Sequence, residues 1–241
     1  MSGWFALMGA GEFQPWSRDV DAWMLDRVTG DGRVLVVPTA SAPEGDEVFS
    51  EWARSGTEHF AENDVPCEVL DVRDRTDADD RGIAERVREA SVIYFSGGNP
   101  AYLVATLNGT ALWQSVLSGL DRGMGYIGCS AGMASLGRMS PDSTVDEFSP
   151  KLWVDGLRLF PRTWFGPHWN MLDDYIPGLV AHIEATVPSE DLLIAVDEQT
   201  ALVGDGERWQ VIGESAIHIR EAGVWRDHAP GDDVSVDAWN R

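Results

Sequence analysis

The residues with the clearest chemical potential are Gly128, Ser130 and Gly132, which form a Gly-x-Ser-x-Gly pattern. Apolar residues 125–129 precede the serine, and the small residues of 131–136 follow it. In a strand-to-helix turn of this type the central side chain projects outward, because the flanking glycines cannot clash with neighbouring strands. The N-terminus of the following helix stabilises an oxyanion. The pattern predicts that Ser130 is a nucleophile; the alternative is a serine that only caps a helix.

Cys129, next to this serine, is a competing nucleophile. Only the central residue of such a turn projects, and Gly128 and Gly132 bracket position 130 symmetrically. We therefore expect Cys129 to point into the core, where free cysteines commonly lie.

A second glycine corner, Gly97-Gly98-Asn99-Pro100, follows the apolar residues 91–95. Acyl transfer needs two N–H donors for the oxyanion. Ala131 follows the serine and supplies one, and a glycine corner lets the backbone of Gly98 approach closely enough to supply the other. An ordinary turn that opens a helix at the proline is the alternative.

A serine nucleophile needs a base, and histidine is the usual one. The five histidines are His59, His168, His182, His218 and His228. Four of them lie within predicted helices or late strands and are more simply surface or packing residues. His168 lies in the loop sequence Phe-Gly-Pro-His-Trp, and loops carry a large share of catalytic residues. We therefore expect His168 to be the base.

The acid that orients the imidazole is harder to choose among 40 acidic residues. Asp197 and Glu198 directly follow the apolar residues 192–196. Asp142 and Asp146 lie in the irregular region after the serine. Such an acid hydrogen-bonds the second ring nitrogen, and spacing alone does not choose among these four.

The elements that must position these residues alternate between apolar strands and helices. Strands are predicted at 4–8, 33–38, 67–70, 91–95 and 125–129, with helices at 45–63, 83–90, 102–107 and 111–120 between them. Uninterrupted apolar strands indicate a parallel sheet covered on both faces, with sites at the carboxyl ends of its strands. A helix at 175–187 and a ladder of short strands after 192 follow, which predict antiparallel hairpins extending one edge. We expect an α/β three-layer sandwich with a mostly parallel central sheet, and one domain over residues 1–241.

Composition limits the partners. The net charge is −22, and one of the 18 basic residues is a lysine, so a nucleic acid partner is not expected. No apolar run approaches a membrane span. The first residues read as a strand without a basic leader, and the two cysteines, Cys67 and Cys129, form no disulfide or metal pattern. We expect a cytoplasmic protein without metal or organic cofactor; the oligomeric state, monomer or homodimer, stays open.

Four motifs in order resemble the peptidase E and cyanophycinase family of serine peptidases. They are SGGNP (96–100), YIGCSAG (126–132), GPHW (166–169) and DEQTAL (197–202). The resemblance runs from Gly9 to about Val203 and implies a class-I-glutamine-amidotransferase-like α/β fold. By motif, it implies Ser130 as nucleophile, His168 as base and Glu198 as acid. Family members with an aspartate soon after the serine keep Asp142 and Asp146 open.

The same resemblance implies Gly98 and Ala131 as oxyanion donors and a small peptide as substrate. The peptidase E branch removes N-terminal aspartate from dipeptides, and the cyanophycinase branch cleaves a β-linked aspartate–arginine polymer. GPHW is closer to the first branch and DEQTAL to the second, whereas the residues after His168 lack the glutamine-and-arginine-rich stretch of the second.

We expect N-terminal aspartyl dipeptides as substrates. The expected substrate-binding residues are Asn99, Arg162 and Trp169, with Arg138 as another cation close in sequence. The alternatives are cyanophycinase-like β-aspartyl cleavage, hydrolysis of another amide or ester, and a catalytically silent binding protein.

Overall fold

The structure is a computed structural model that describes residues 3–145 and 147–236. The strands of this part are β1 (Trp4–Met8), β2 (Val34–Val37), β3 (Cys67–Val69), β4 (Val92–Phe95), β5 (Gly125–Cys129), β6 (Met139–Pro141), β7 (Trp153–Asp155), β8 (Thr163–Gly166), β9 (Leu192–Val196), β10 (Thr200–Gly204), β11 (Trp209–Gly213), β12 (Ile217–Glu221), β13 (Val224–His228) and β14 (Asp233–Val234). The α-helices are α1 (Arg18–Leu25), α2 (Asp46–Glu62), α3 (Arg75–Ala78), α4 (Arg81–Arg86), α5 (Pro100–Leu107), α6 (Ala111–Asp121), α7 (Ala131–Ala134), α8 (Leu172–Tyr175) and α9 (Leu179–Thr186). None of these helices is long and apolar enough to span a bilayer.

Eight strands form the central sheet in the order β14-β11-β10-β1-β5-β4-β2-β3. Strands β1, β5, β4, β2 and β3 run parallel, and β10, β11 and β14 extend the sheet antiparallel to their neighbours. The predicted α/β fold, with its mostly parallel sheet and late antiparallel extension, is confirmed. The carboxyl ends of β1, β4 and β5 lie side by side, since Met8 pairs with Cys129 and Phe95 with Gly128.

Both faces of this sheet are covered, which explains the uninterrupted apolar strands. Alternate residues of β1 point to opposite faces: Phe5 and Leu7 join one core cluster, and Ala6 and Met8 join the other. The second cluster packs against α1 and the end of α2. The first packs against α5 and α6 and against a second sheet.

That second sheet departs from the prediction of a single extended edge. It has the order β13-β12-β9-β8, so the late strands divide between two sheets. The reason is visible in β9, where Ile194 lies in the main core and Leu193 packs with Ile183 of α9. A run of apolar residues indicates burial on two faces but does not say which sheet the strand joins.

Of the predicted helix at 175–187, only the part at Leu179–Thr186 forms a helix, α9, whereas Tyr175 is the last residue of α8. Pro177 and Gly178 separate α8 from α9, and Gly178, which precedes α9, has a φ of +88 in the left-handed region that favours glycine. The irregular region 137–164 contains the β6–β7 hairpin and the start of β8, and the predicted helix at 83–90 is the shorter α4.

Candidate active site

Ser130 occupies the turn between β5 and α7. Its backbone has φ 48 and ψ −104, an unusual conformation for a residue with a side chain. A Cβ on Gly132 would lie 2.3 Å from the carbonyl oxygen of Phe95, and one on Gly128 would lie 2.6 Å from the Gly132 carbonyl oxygen. Both glycines are therefore required for the tight turn, and the Ser130 side chain faces a pocket at the sheet edge.

His168 follows the carboxyl end of β8 and reaches this turn. Its Nε2 atom lies 2.8 Å from Ser130 Oγ. The residue has φ 55, and the Trp169 N–H donates to the Val196 carbonyl at 3.1 Å, which ties the loop to β9. The predicted contact between the serine and the imidazole is present.

Glu198 completes the chain of hydrogen bonds. Its Oε1 lies 2.7 Å from His168 Nδ1. It belongs to the crossover 197–199, which leaves β9 in the second sheet and enters β10 in the central sheet. A Cβ on Gly9 would lie 2.1 Å from the Asp197 carbonyl oxygen, so a glycine at the end of β1 lets the crossover pack against it.

The structure does not bring the other candidate acids to the imidazole. Asp197 accepts from Ser215 Oγ at 2.6 Å and lies 3.2 Å from His218 Nε2, away from His168. Asp142 accepts from the backbone and hydroxyl of Thr144, and these hydrogen bonds lower the pKa of its carboxyl. Asp146 lies outside the described residues.

Tyr175 and Asn170 support the acid, and the sequence did not single them out. The Tyr175 hydroxyl donates to Glu198 Oε1 at 2.9 Å, and its ring lies edge-on to the His168 ring with centroids 6.0 Å apart. The Glu198 N–H donates to Asn170 Oδ1 at 2.9 Å. Their only signal in the sequence is closeness to His168.

The backbone at Gly97-Gly98 faces Ser130 from β4. Gly98 has φ +132, and a Cβ there would lie 2.3 Å from the Ala40 carbonyl carbon. The Asn99 N–H donates to Ala40 at 2.8 Å, and the Gly97 N–H donates to Glu12 Oε1 at 2.8 Å. Within the described residues, neither the Gly98 nor the Ala131 N–H donates to another protein group, so both remain able to bind an oxyanion.

These groups line a pocket of about 550 Å³. Its walls are Ala10, Gly11, Glu12, Gln14, Trp52, Gly97, Gly98, Ser130, His168, Glu198 and Gln199. Glu12, Gln14, Trp52 and Gln199 were not predicted to belong to the site. Glu12 lies four residues after the end of β1, and β1 pairs with β5, so knowledge of the strand order would have predicted Glu12 near Ser130.

The three predicted substrate-binding residues have other surroundings. The Asn99 side chain accepts from the Tyr102 N–H at 3.0 Å and so caps α5. Trp169 packs in the apolar cluster beneath the second sheet, with its ring 5.6 Å from that of Trp225. Arg162 precedes β8, at the end of the strand opposite His168, and donates to the Glu190 carbonyl. Neither Arg162 nor Arg138 lines the pocket that contains Ser130, and Arg138 forms an ion pair with Asp191.

Cys129 is fully buried, as expected, and its thiol donates to Glu12 Oε2 at 2.9 Å. Burial, with the nearby Glu12 carboxylate, raises the pKa of this thiol well above its ordinary value, so it stays protonated. Among the described lining residues, His168 is the single histidine. His59, for example, is buried beside Asp21 under the opposite face of the sheet. The described residues contain no cluster of three or more histidine, cysteine or acidic side chains suited to a metal ion.

The sequence is similar to the model of a peptidase family and to curated cyanophycinases. A model of peptidase family S51 matches residues 5–212. A cyanophycinase from Geminocystis herdmanii is 27% identical over 201 residues, which cover 78% of this chain and 69% of the relative. One from Trichormus variabilis is 26% identical over 195 residues, and the match covers 77% of this chain and 62% of that relative, less than two thirds of its length.

Solved structures share the fold. A peptidase from an acI-B1 Actinobacterium superposes with a TM-score of 0.89 at 30% identity, over 98% of both chains. A protein assigned as a peptidase E from Listeria monocytogenes superposes with a TM-score of 0.66 over 88% of this chain and 99% of its own. At 20% identity, the second likeness bears on the fold alone.

Proposed function

Because the chain belongs to peptidase family S51 and is a serine peptidase, we propose that it is an exopeptidase acting on small peptides through Ser130, His168 and Glu198. The observation that carries the proposal is the continuous chain of hydrogen bonds, 2.8 Å from serine to imidazole and 2.7 Å from imidazole to carboxylate. A pocket of about 550 Å³ suits a small ligand.

In the proposed reaction, Ser130 Oγ attacks the peptide carbonyl carbon while His168 Nε2 takes the hydroxyl proton. The N–H groups of Gly98 and Ala131 stabilise the oxyanion of the tetrahedral intermediate. His168 then gives its proton to the leaving amine, and the carbon–nitrogen bond breaks. Water attacks the acyl-serine with the same base, which releases the acid and restores the serine. Glu198 holds the imidazole orientation and stabilises its positive charge.

N-terminal aspartyl dipeptides are the first substrates to test, because the resemblance to the peptidase E branch implies them. The described pocket walls contain no arginine or lysine, so the amides of Gln14 and Gln199 would have to bind the aspartyl carboxylate. The second candidate is β-aspartyl–arginine cleavage, which the matches to two cyanophycinases favour.

The test compares wild type with Ser130→Ala on Asp-X dipeptides, other dipeptides, a β-aspartyl–arginine dipeptide and p-nitrophenyl esters. We expect wild type to hydrolyse at least one dipeptide class and Ser130→Ala to lose about 10⁴-fold or more of that activity. A fluorophosphonate is expected to label Ser130. Ester turnover without peptide turnover would contradict the peptidase proposal, and an unlabelled serine in folded protein would contradict the nucleophile.

A further inference from the structure

The ionisable groups of the described pocket wall are carboxylates and one histidine. Glu198 is engaged by His168 and Tyr175, so Glu12 is the acid that the proposed mechanism leaves without a role. In a protein of net charge −22, a pocket wall of this kind favours a cationic group on the substrate.

Glu12 is held rigidly beside the nucleophile. It is 7% exposed, its Oε1 accepts the Gly97 N–H, and its Oε2 accepts the Cys129 thiol. A carboxylate has about four lone-pair directions, so each oxygen keeps acceptor capacity for a further donor. The Cys129 thiol stays protonated and donates to Glu12, so no negative charge on sulfur faces this carboxylate.

Glu12 and Ser130 both lie close to Gly97. The point at which a side chain of residue 97 would begin lies 3.1 Å from Glu12 Oε1 and 3.7 Å from Ser130 Cβ. Gly97 lines the pocket and has no side chain to fill this space, so a substrate group can approach both Glu12 and Ser130. The α-nitrogen of an N-terminal residue lies two bonds, or about 2.5 Å, from its own carbonyl carbon. A residue whose carbonyl is under attack by Ser130 therefore carries its α-nitrogen into this region.

We propose that Glu12 binds the α-ammonium group of the peptide substrate, so that this carboxylate selects peptides with a free N-terminus for attack by Ser130. The inference rests on the proposed function, since it assigns a recognition group to the same site. A merely structural Glu12 would only hold Gly97, and the two roles differ in what they predict for blocked substrates.

The experiment measures kcat/KM for one hydrolysed peptide and for its N-acetyl counterpart, in wild type and in Glu12→Gln. Glutamine keeps the acceptor for the Gly97 N–H and removes the charge. We expect the ratio of free to acetylated kcat/KM to fall about 10- to 100-fold in the variant, the range for a hydrogen bond between charged groups. Glu207→Gln, the same change in the exposed β10–β11 turn, is the matched control and should leave the ratio unchanged.

A pH profile of the wild type gives a second readout, which does not depend on the folding of any variant. The α-amino group of a peptide has a pKa of about 7.7–8.0. Wild-type kcat/KM on the free peptide should therefore fall as pH rises above about 8, because the ammonium loses its charge. The acetylated peptide should lack this basic limb, and Glu12→Gln should reduce it.

Equal wild-type turnover of free and acetylated peptides would overturn the inference and leave the proposed function intact. A parallel loss on both substrates in Glu12→Gln would also overturn it, because it would show a structural role. Absence of all peptide turnover in wild type, with an unlabelled Ser130, would instead contradict the proposed function, and the inference would fall with it.

Discussion

One carboxylate oxygen, Oε1 of Glu198, contacts both the His168 imidazole and the Tyr175 hydroxyl. The hydrogen bond to Glu198 raises the pKa of Tyr175, so the phenol stays protonated and donates at all pH values relevant to catalysis. The phenol withdraws part of the negative charge that Glu198 would otherwise offer to the imidazole. We therefore expect Tyr175 to be a positioning residue that acts through Glu198.

Removing this hydroxyl tests that role. In Tyr175→Phe, the carboxylate becomes a stronger acceptor for His168, and the imidazole holds its proton more tightly. We expect the acidic limb of the kcat/KM profile to move upward by a few tenths of a pH unit, because the bond is exposed to solvent. The measurement is a full pH profile on the preferred peptide.

Tyr102→Phe is the matched control, since the Tyr102 hydroxyl donates to the Arg73 carbonyl and does not contact the triad. An acidic limb that stays in place in Tyr175→Phe, or that moves equally in Tyr102→Phe, would contradict the positioning role.

The two strand-to-helix corners of the site, at Gly98 and Ser130, require backbone segments to pack closely against each other. At Gly98, φ +132 combines with a backbone contact that leaves no room for a side chain. Asn99 ties the same corner to Ala40 through its N–H. No rotamer change can relieve a clash with a carbonyl group, so any side chain at 98 must move the corner.

Gly98→Ala should therefore displace one oxyanion donor. We expect kcat/KM to fall about 100-fold or more, the usual effect of losing one such donor. Gly32→Ala is the control: Gly32 has φ +83 but nothing within 4 Å of an added Cβ. That variant bears the backbone strain of a positive φ, about 1 kcal/mol, without the clash.

Activity and the melting temperature should be measured together in both variants. Equal activity losses in Gly98→Ala and Gly32→Ala, in step with their loss of stability, would contradict a specific role for the Gly98 corner.

The serine corner was predictable from sequence because its determinants are local. A strand, two glycines and a helix start lie within a dozen residues, and each constrains the same turn. The choice of Glu198 over Asp197 was not local. The neighbours face opposite ways from a crossover between two sheets, so the strand partners of β9 and β10 decide which acid meets the imidazole.

The positions of Glu12 and Tyr175 in the site were likewise not predictable from the local sequence. Glu12 reaches the nucleophile because β1 lies beside β5, a pairing between residues more than 100 positions apart. The sequence placed Tyr175 first in a helix at 175–187, whereas it is the last residue of α8, because Pro177 and Gly178 separate α8 from α9.

The charge of the whole chain adds a self-repulsion that no single pair removes. Acidic residues outnumber basic ones 40 to 18. Several surface ion pairs form, such as Arg88–Glu85 and Arg158–Asp155, and exposed pairs of this kind add little to stability. The excess negative charge is therefore expected to destabilise the folded state at neutral pH.

Screening should relieve this repulsion. We expect the melting temperature at pH 8 to rise by at least about 2 °C, corresponding to about 1 kcal/mol, when NaCl is raised from 10 to 300 mM. A melting temperature that falls with salt would mean that attractive ion pairs outweigh the repulsion, and would contradict the prediction.

Lowering the pH separates charge repulsion from a general effect of salt. At pH 5, partial protonation of carboxylates and protonation of histidines reduce the net charge, so the salt-induced rise should be smaller than at pH 8. Further acidification, below about pH 3.8, is expected to destabilise the folded state, because hydrogen bonds lower the folded-state pKa of Asp74 and Asp142. Their contribution to stability is present above the unfolded pKa and is lost as pH falls through the folded one. Repulsion between carboxylates must weaken as they take up protons. An equal rise of the melting temperature with salt at pH 5 and pH 8 would therefore contradict the repulsion argument and would assign the effect to exclusion of the salt from the protein surface.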